Sequence, residues 1–279
     1  MVDDDIATQT TEDLEAALGS DVALRPSDAA DPQSIVDAKI PEDIRKKYDV
    51  FSYRNAAVIL AESRRSEFEE LLQALRDFTI TTKMIRTAGG NESDIPKLLS
   101  EKLRPLNWFE TIISGDLVVN LVWRQPVPNA RGKLVMTPQT KTITRERYLD
   151  GHKIDYVKNK VAFDLEWNSK DQTFDRDLFA FSTFFQSGAI DVGVLVTRSA
   201  SLDPVFRQLG PALKKNGDID TKDGVPRMTM QKFGASTTWM GKLIYRLNAG
   251  RNGGCPVLAI GIRPEAISDW PPTLEASPI

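Results

Sequence analysis

The chain has 279 residues, of which 41% are hydrophobic and 27% charged, and these values are ordinary for a globular protein with a substantial core. It has no apolar run of about 18 residues, and its acidic N-terminus lacks the apolar segment of a secretory signal, so we expect a cytoplasmic protein without a membrane span. The single cysteine, Cys255, excludes an internal disulfide, and with the single histidine, His152, it is too little for a zinc site.

The net charge of −3 is unevenly distributed along the chain. Residues 1–50 contain 13 Asp and Glu against 5 Lys and Arg, whereas residues 207–251 contain 9 basic and 3 acidic residues. Contacts with nucleic-acid phosphates require a basic region of this kind. A solvated basic surface gives the same pattern, so charge alone leaves both interpretations open.

The N-terminal part of the chain predicts a tail followed by a helix. Residues 1–40 are acidic and poor in large apolar side chains, which is typical of a flexible tail, with a short helix over 12–18. One apolar stripe predicts a helix over 66–78, and Ser66 and Glu69 have the spacing of a capping box at its start.

The remaining elements predict an α/β fold. A second helix is expected over 95–103, a strand over 116–123, and an irregular connection over 126–138, where prolines are frequent. Strands and helices then follow in the order β-β-α-β-α-β, at 156–157, 161–167, 174–185, 189–196, 238–249 and 256–262. This order implies a mixed central sheet flanked by helices in a single domain, 41–268, followed by a C-terminal tail, 269–279.

Three acidic residues are candidates for a catalytic site. Because side chains alternate along a strand, Asp164 and Glu166 project from one face of their strand, opposite its aromatic and aliphatic residues. If Asp155 lies on the preceding strand of a hairpin, the turn brings it back beside Asp164. The pattern therefore predicts that three carboxylates converge near one edge of the sheet.

Converging carboxylates repel one another, and this repulsion favours raised pKa values or a bound cation. Hard oxygen ligands suit Mg²⁺, and such an ion activates water for attack on a phosphodiester. The spacing is a weak signal by itself, because acidic residues are common on exposed hairpins.

The sequence around these carboxylates is more specific. Residues 154–199 contain Asp155, a turn, Asp164-Leu165-Glu166, a helix and the strand Ile190-Asp191-Val192-Gly193-Val194. Together they resemble the catalytic core of the BglII/BstYI type II restriction endonucleases of the PD-(D/E)XK superfamily. The resemblance extends over about 60–264, with the catalytic core at about 150–264.

The resemblance implies a role for each acidic residue. It places metal ligands of a Mg²⁺-dependent endonuclease at Asp155, Asp164 and Glu166. The third position is Lys in most of the superfamily and Gln in this family, so Glu166 is a departure, and it is open as a ligand or a general base. An acidic residue of the N-terminal helix, Glu69 or Glu70, is a further candidate near the site.

The resemblance also implies double-stranded DNA as the substrate. Expected DNA contacts follow the catalytic strand and precede the last helix, at Asn168, Ser169, Lys170, Lys232, Ser236 and Thr237. A longer insertion at about 202–237 makes the target sequence uncertain, although the family implies a palindrome centred on GATC. It implies a homodimer, and a restriction system implies a cognate DNA methyltransferase.

Three other functions remain open from the sequence. One is a related nuclease that repairs DNA or cuts modified DNA, and cleavage of methylated against unmethylated DNA distinguishes it. Another is a DNA-binding relative that has lost catalysis, for which Glu166 is the main support. The last is a scaffold or partner-binding protein that uses the acidic tail. Nothing in residues 154–196 calls for such a role.

Overall fold

The computed structural model describes residues 29–87, 94–234 and 236–271, and the helix expected over 12–18 lies outside them. The strands of this part are β1 Tyr48–Tyr53, β2 Phe109–Pro128, β3 Leu134–Lys158, β4 Val161–Glu166, β5 Val192–Arg198, β6 Thr221–Lys222, β7 Val225–Pro226 and β8 Val257–Ile262. The α-helices are α1 Gln33–Lys39, α2 Glu42–Lys47, α3 Ala56–Val58, α4 Arg65–Asp77, α5 Thr82–Arg86, α6 Asp94–Leu103, α7 Thr173–Gln186, α8 Asp203–Gln208 and α9 Met240–Asn248. Among these described helices, none is long and apolar enough to cross a membrane.

Six strands form one mixed sheet in the order β1-β8-β5-β4-β3-β2. The central strands β8, β5 and β4 are parallel to one another, whereas β1 pairs antiparallel with β8 and β3 pairs antiparallel with β4. A small separate hairpin, β6-β7, lies in the insertion at 202–237. The predicted α/β class, with a mixed sheet and flanking helices, is confirmed.

The three central strands are buried along their whole length, as parallel strands covered on both faces must be. Helix α7 makes the crossover between the parallel strands β4 and β5 and packs closely on the sheet. A Cβ added at Gly193 of β5 would lie only 2.4 Å from Cδ2 of Phe181 in α7. Glycine at this position therefore lets helix α7 approach strand β5 closely.

The folded part begins earlier than the predicted tail boundary at residue 40. Residues 33–39 form α1, which has Val36 fully buried, and Ile40 after it is buried as well. These two apolar side chains join the main hydrophobic core. The sequence did not predict this helix, because residues 1–40 as a whole are acidic and contain few large apolar side chains.

The predicted capping box at the start of α4 is wrong. The helix begins at Arg65, and Arg64 before it makes no side-chain cap. The chain enters α4 directly from the π-helical turn Ile59–Ser63, and the Arg64 amide already bonds to carbonyls of that turn. Ser66 therefore lies inside the first turn of α4 rather than at its cap.

The contacts divide the chain into two compact units, of which the second is Thr111–Lys153. This unit is a ribbon of the long strands β2 and β3, so the predicted irregular connection over 126–138 is mostly strand. Prolines are tolerated because each strand of a two-stranded ribbon has an edge where an amide donor is not needed. The ribbon exposes large apolar side chains, among them Val122, Trp123 and Leu134.

Candidate active site

Strand β4 places Asp164 and Glu166 on the same side of the sheet, as the alternation of side chains predicted. Their surroundings differ from the prediction, because Asp164 is only 4% exposed and Glu166 only 7%. The carboxylates were expected near an edge of the sheet, whereas β4 is a central strand with helices over the sheet, and both of its faces are covered. The acidic pair is enclosed within the protein.

Asp155 joins this pair through the hairpin of β3 and β4. The register pairs Tyr156 with Phe163, and this places Asp155 opposite Asp164. The backbone N–H of Asp155 donates a hydrogen bond of 2.8 Å to Oδ1 of Asp164. The predicted convergence of these two acidic residues is confirmed, although the contact uses the backbone of Asp155 and leaves its carboxylate half-buried and available.

A fourth acidic residue, Asp177 of α7, completes the cluster and was missed in the sequence. Its side chain is buried and lies close enough to Glu166 to share a hydrogen bond when one of the two carboxyl groups is protonated. The exposed Arg176 donates to Oδ1 of Asp177 at 3.0 Å and ion-pairs with Glu166 at 3.5 Å. The available signal was helical spacing: Asp177 lies three residues after Phe174 and four before Phe181, on the apolar stripe of α7.

The residues Asp155, Asp164, Glu166 and Asp177 are here called the acidic cluster, and the pKa values of Asp164, Glu166 and Asp177 are raised. Burial, followed by the charges of Asp177 and Asp155, raises the pKa of Asp164 well above its usual value. Burial raises the pKa of Glu166, although a hydrogen bond from Ser169 opposes the shift. Burial and then the charge of Glu166 raise the pKa of Asp177 to about 8. Ionisation of these groups in the free protein is therefore unfavourable.

Among the described residues, two buried oxygens of the acidic cluster have no hydrogen-bond partner. These are Oδ2 of Asp164 and Oδ2 of Asp177, and both are buried. Unpartnered buried carboxylate oxygens are costly, and hard oxygen donors of this kind suit Mg²⁺ or a related ion. In the described part of the chain, however, no group of three or more His, Cys, Asp and Glu side chains is already gathered around one metal position. The donor chemistry fits a divalent cation, and the side chains must still close around it.

The acidic residues of α4 contact the β3-β4 hairpin. Glu70 accepts hydrogen bonds of 2.6 and 2.7 Å from Nζ of Lys158, and Glu67 accepts one from the side chain of Asn159. Glu69, the residue predicted to act in catalysis, is exposed on the same helix. Its catalytic role stays a prediction, whereas Glu67 and Glu70 hold the turn that brings Asp155 toward Asp164.

The two segments predicted to contact DNA lie together in the structure. The first DNA segment is 168–170, after β4. The second was predicted within 232–237; the name second DNA segment is used here for 236–238, before α9, which adds Thr238 to the predicted Ser236 and Thr237. A β-bridge pairs Lys170 with Thr237, and the backbone N–H of Thr238 donates to the first segment with an N···O distance of 2.9 Å. Residues far apart in the sequence therefore form one surface next to Glu166.

Several of the predicted DNA contacts, among them Asn168 and Lys232, have internal partners in the free protein. The Asn168 side-chain amide donates to the backbone carbonyl of Lys232 at 3.1 Å. The Lys232 ammonium donates to three carbonyls at the end of α5, those of Ile85, Arg86 and Thr87, at 3.0, 3.0 and 2.5 Å. Burial lowers the pKa of Lys232 to about 8. Both side chains tie the insertion to the rest of the protein, while Lys170 and Ser236 are exposed.

A family model described as restriction endonuclease BglII/BglIII matches residues 48–262, from the start of β1 to the end of β8. No curated protein matches the chain. The matched range contains the whole acidic cluster and both DNA segments, and it confirms the resemblance seen in the sequence. Enzymes of this family act on DNA and generally use a divalent metal ion. The chain belongs to the BglII/BglIII family of type II restriction endonucleases, which are DNA hydrolases.

Proposed function

We propose that the protein hydrolyses phosphodiester bonds of double-stranded DNA with Mg²⁺, at a short palindromic site. The single observation that carries the proposal is the unpartnered Oδ2 of Asp164, buried among three other carboxyl groups. A carboxylate that only supports the fold has its oxygens bonded. A cation that binds this oxygen offsets both its missing partner and the repulsion within the acidic cluster.

Asp155 and Asp164 are the metal ligands in this proposal. The half-buried carboxylate of Asp155 lies beside Asp164, because the backbone N–H of Asp155 donates a hydrogen bond to the side chain of Asp164. Asp177 is close enough for its charge to raise the pKa of Asp164, and it is a further candidate ligand. When bound, the ion lowers the pKa of an attacking water and stabilises the negative charge that develops on the phosphate.

Glu166 acts in the proposal as the general base toward the attacking water. Its raised pKa makes its carboxylate a better proton acceptor near neutral pH. The hydroxyl of Ser169 and the guanidinium of Arg176 hold this carboxylate from two sides. A glutamine at this position orients water without accepting its proton, so Glu166→Gln and Glu166→Lys test the role. Unchanged cleavage by both variants would exclude Glu166 as the base.

The two DNA segments are proposed to read the base sequence beside the acidic cluster. Lys170 and Ser236 are exposed and suited to contact bases or phosphates, and the flanking insertion is basic. The family supports a homodimer on a palindrome, since a two-fold protein matches a two-fold site. A GATC-centred target and a partner DNA methyltransferase remain predictions.

The experiment is digestion of a mixed-sequence plasmid with purified protein in Mg²⁺ and in EDTA. We expect the wild type to produce discrete fragments in Mg²⁺ and none in EDTA. We expect Asp155→Ala and Asp164→Ala to produce no fragments in Mg²⁺. A matched control is Asp94→Ala, which removes an exposed carboxylate ion-paired with Lys97 on α6. Retarded but uncut DNA under every condition would replace the proposal with a binding function. Fragments from methylated plasmid alone would indicate a modification-dependent nuclease.

A further inference from the structure

Arg198, the last residue of β5, is a buried arginine to which no carboxylate of the described residues is bonded. Its side chain is 1% exposed, and burial lowers its pKa to about 10. Its Nε donates to the carbonyls of Trp167 and Thr238, at 2.9 and 3.0 Å, and its Nη2 donates to Oγ1 of Thr237 at 2.8 Å. One guanidinium therefore joins the end of the catalytic strand to the second DNA segment.

Two aromatic rings fix the position of this guanidinium. It lies 4.9 Å from the ring centroid of Phe233 and 5.4 Å from that of Phe206. The two rings are stacked on each other with centroids 4.0 Å apart, and both belong to the insertion at 202–237. The planar arginine is thus held by packing as well as by hydrogen bonds, which keeps its donors in a fixed direction.

The same contacts continue to the acidic cluster. The carbonyl of Glu166 accepts hydrogen bonds from the hydroxyls of Thr197 and Thr238, at 2.8 and 3.2 Å. Thr197 precedes Arg198 on β5, and Thr238 is one of its partners. The position of the second DNA segment is therefore fixed to the backbone of the proposed general base.

We propose that Arg198 is a positioning residue for sequence discrimination, setting the placement of both DNA segments relative to Glu166. A buried charge is costly, and an apolar residue would fill this space at a lower cost in stability. Arginine instead supplies three directed bonds to groups that belong to the end of β4 and to the second segment. A base mismatch that shifts either segment is then transmitted to the catalytic strand.

This inference rests on the proposed cleavage of DNA, and its test separates the two. Wild type, Arg198→Lys and Arg198→Met are incubated with a mixed-sequence DNA library and Mg²⁺, and the cut ends are sequenced. Lysine retains the charge but cannot bond all three acceptors in the same geometry. We expect the preference for the wild-type site over sites with one mismatch to fall about tenfold in both variants, the size of one lost base-specific contact.

Two controls separate positioning from stability. Val36→Ala removes buried methyl groups from α1, which packs on α3 and β1 and does not touch Arg198, and Arg64→Lys alters an arginine that pairs with Asp191 at the opposite end of the β5 region. Both are expected to keep the wild-type site preference even when they lower the free energy of unfolding. Each protein is assayed below its own melting temperature, so that only folded enzyme is compared.

The outcomes are distinct. Folded Arg198 variants that cut more slowly with unchanged preference would overturn the inference, leaving Arg198 a structural residue. Arg198→Lys decides the matter if Arg198→Met fails to fold. Equal loss of preference in Val36→Ala would likewise overturn it, since lost stability alone would explain the effect. If wild type cuts nothing, the proposed function fails first.

Discussion

Replacing Asp177 by asparagine should stabilise the metal-free protein. Asp177 is buried and carries one unpartnered oxygen, and burial raises the pKa of its carboxyl from 3.8 to about 8. Asparagine has nearly the same shape, does not titrate, and can donate a hydrogen bond to Glu166 as the protonated carboxyl does. The substitution therefore removes the destabilisation that the buried carboxyl group of Asp177 causes in the metal-free wild type.

The size of the effect follows from the difference between the folded and unfolded pKa. Between about pH 4 and pH 8 the unfolded chain releases the proton of Asp177 while the folded protein retains it, so wild-type stability falls as the pH rises. At pH 7 the cost has an upper limit of about 4 kcal/mol, at roughly 1.4 kcal/mol per pH unit. Lost bonds to the exposed Arg176 offset about 1 kcal/mol of it. We expect a net gain of about 2 kcal/mol, or roughly 4–8 °C in melting temperature.

The assay is urea denaturation of wild type and Asp177→Asn in EDTA at about pH 5, 7 and 8. The stability difference should grow with pH, because only the wild type has the titrating group. Asp37→Asn, which alters an exposed carboxylate paired with Arg45, is the matched control and should show no such growth. A difference independent of pH, or a destabilised Asp177→Asn, would refute the reasoning.

Three further predictions follow from the structure. Gly193→Ala should cost about 2 kcal/mol in the free energy of unfolding, because its Cβ would lie 2.4 Å from the ring of Phe181; Gly234→Ala, with open space at its Cβ, should change little in the same urea titration. Lys232→Met should cost about 1–3 kcal/mol, since three carbonyls at the end of α5 lose a charged donor, and thermal melting that leaves stability unchanged would contradict this role. Glu166→Gln should lower the cleavage rate about 100-fold with little change in DNA affinity, measured by single-turnover digestion and gel shift, and a proportional loss of affinity would argue against the base role.

The sequence predicted the parts of the site that depend on local geometry. Alternation along β4 placed Asp164 and Glu166 together, and the short turn before it brought Asp155 beside them. These relations depend only on strand period and hairpin pairing, which act over a few residues. They are therefore readable without knowing what packs on the sheet.

The remaining parts depend on tertiary contacts. Burial of the acidic pair depends on how α7 crosses from β4 to β5, which no local period specifies. Helical spacing places Asp177 on the apolar stripe of α7, but it does not show that this stripe faces Glu166. The inward orientation of Asn168 and Lys232 depends on where the insertion meets α5. A polar residue on an exposed turn and one that bonds a distant carbonyl look the same in the sequence. The long ribbon of β2 and β3 was missed because its prolines were read as breaks.

The most direct test of the metal site is calorimetric titration of Mg²⁺ into the protein near pH 7, in two buffers with different ionisation enthalpies. The carboxyl of Asp177, whose pKa burial raises to about 8, holds a proton at this pH, so metal binding in the acidic cluster should release it, and the measured heat should depend on the buffer. The account predicts binding with proton release in wild type and loss of both in Asp164→Asn. Absence of binding, or equal binding and proton release by Asp164→Asn, would contradict the claim that these carboxylates hold the catalytic metal.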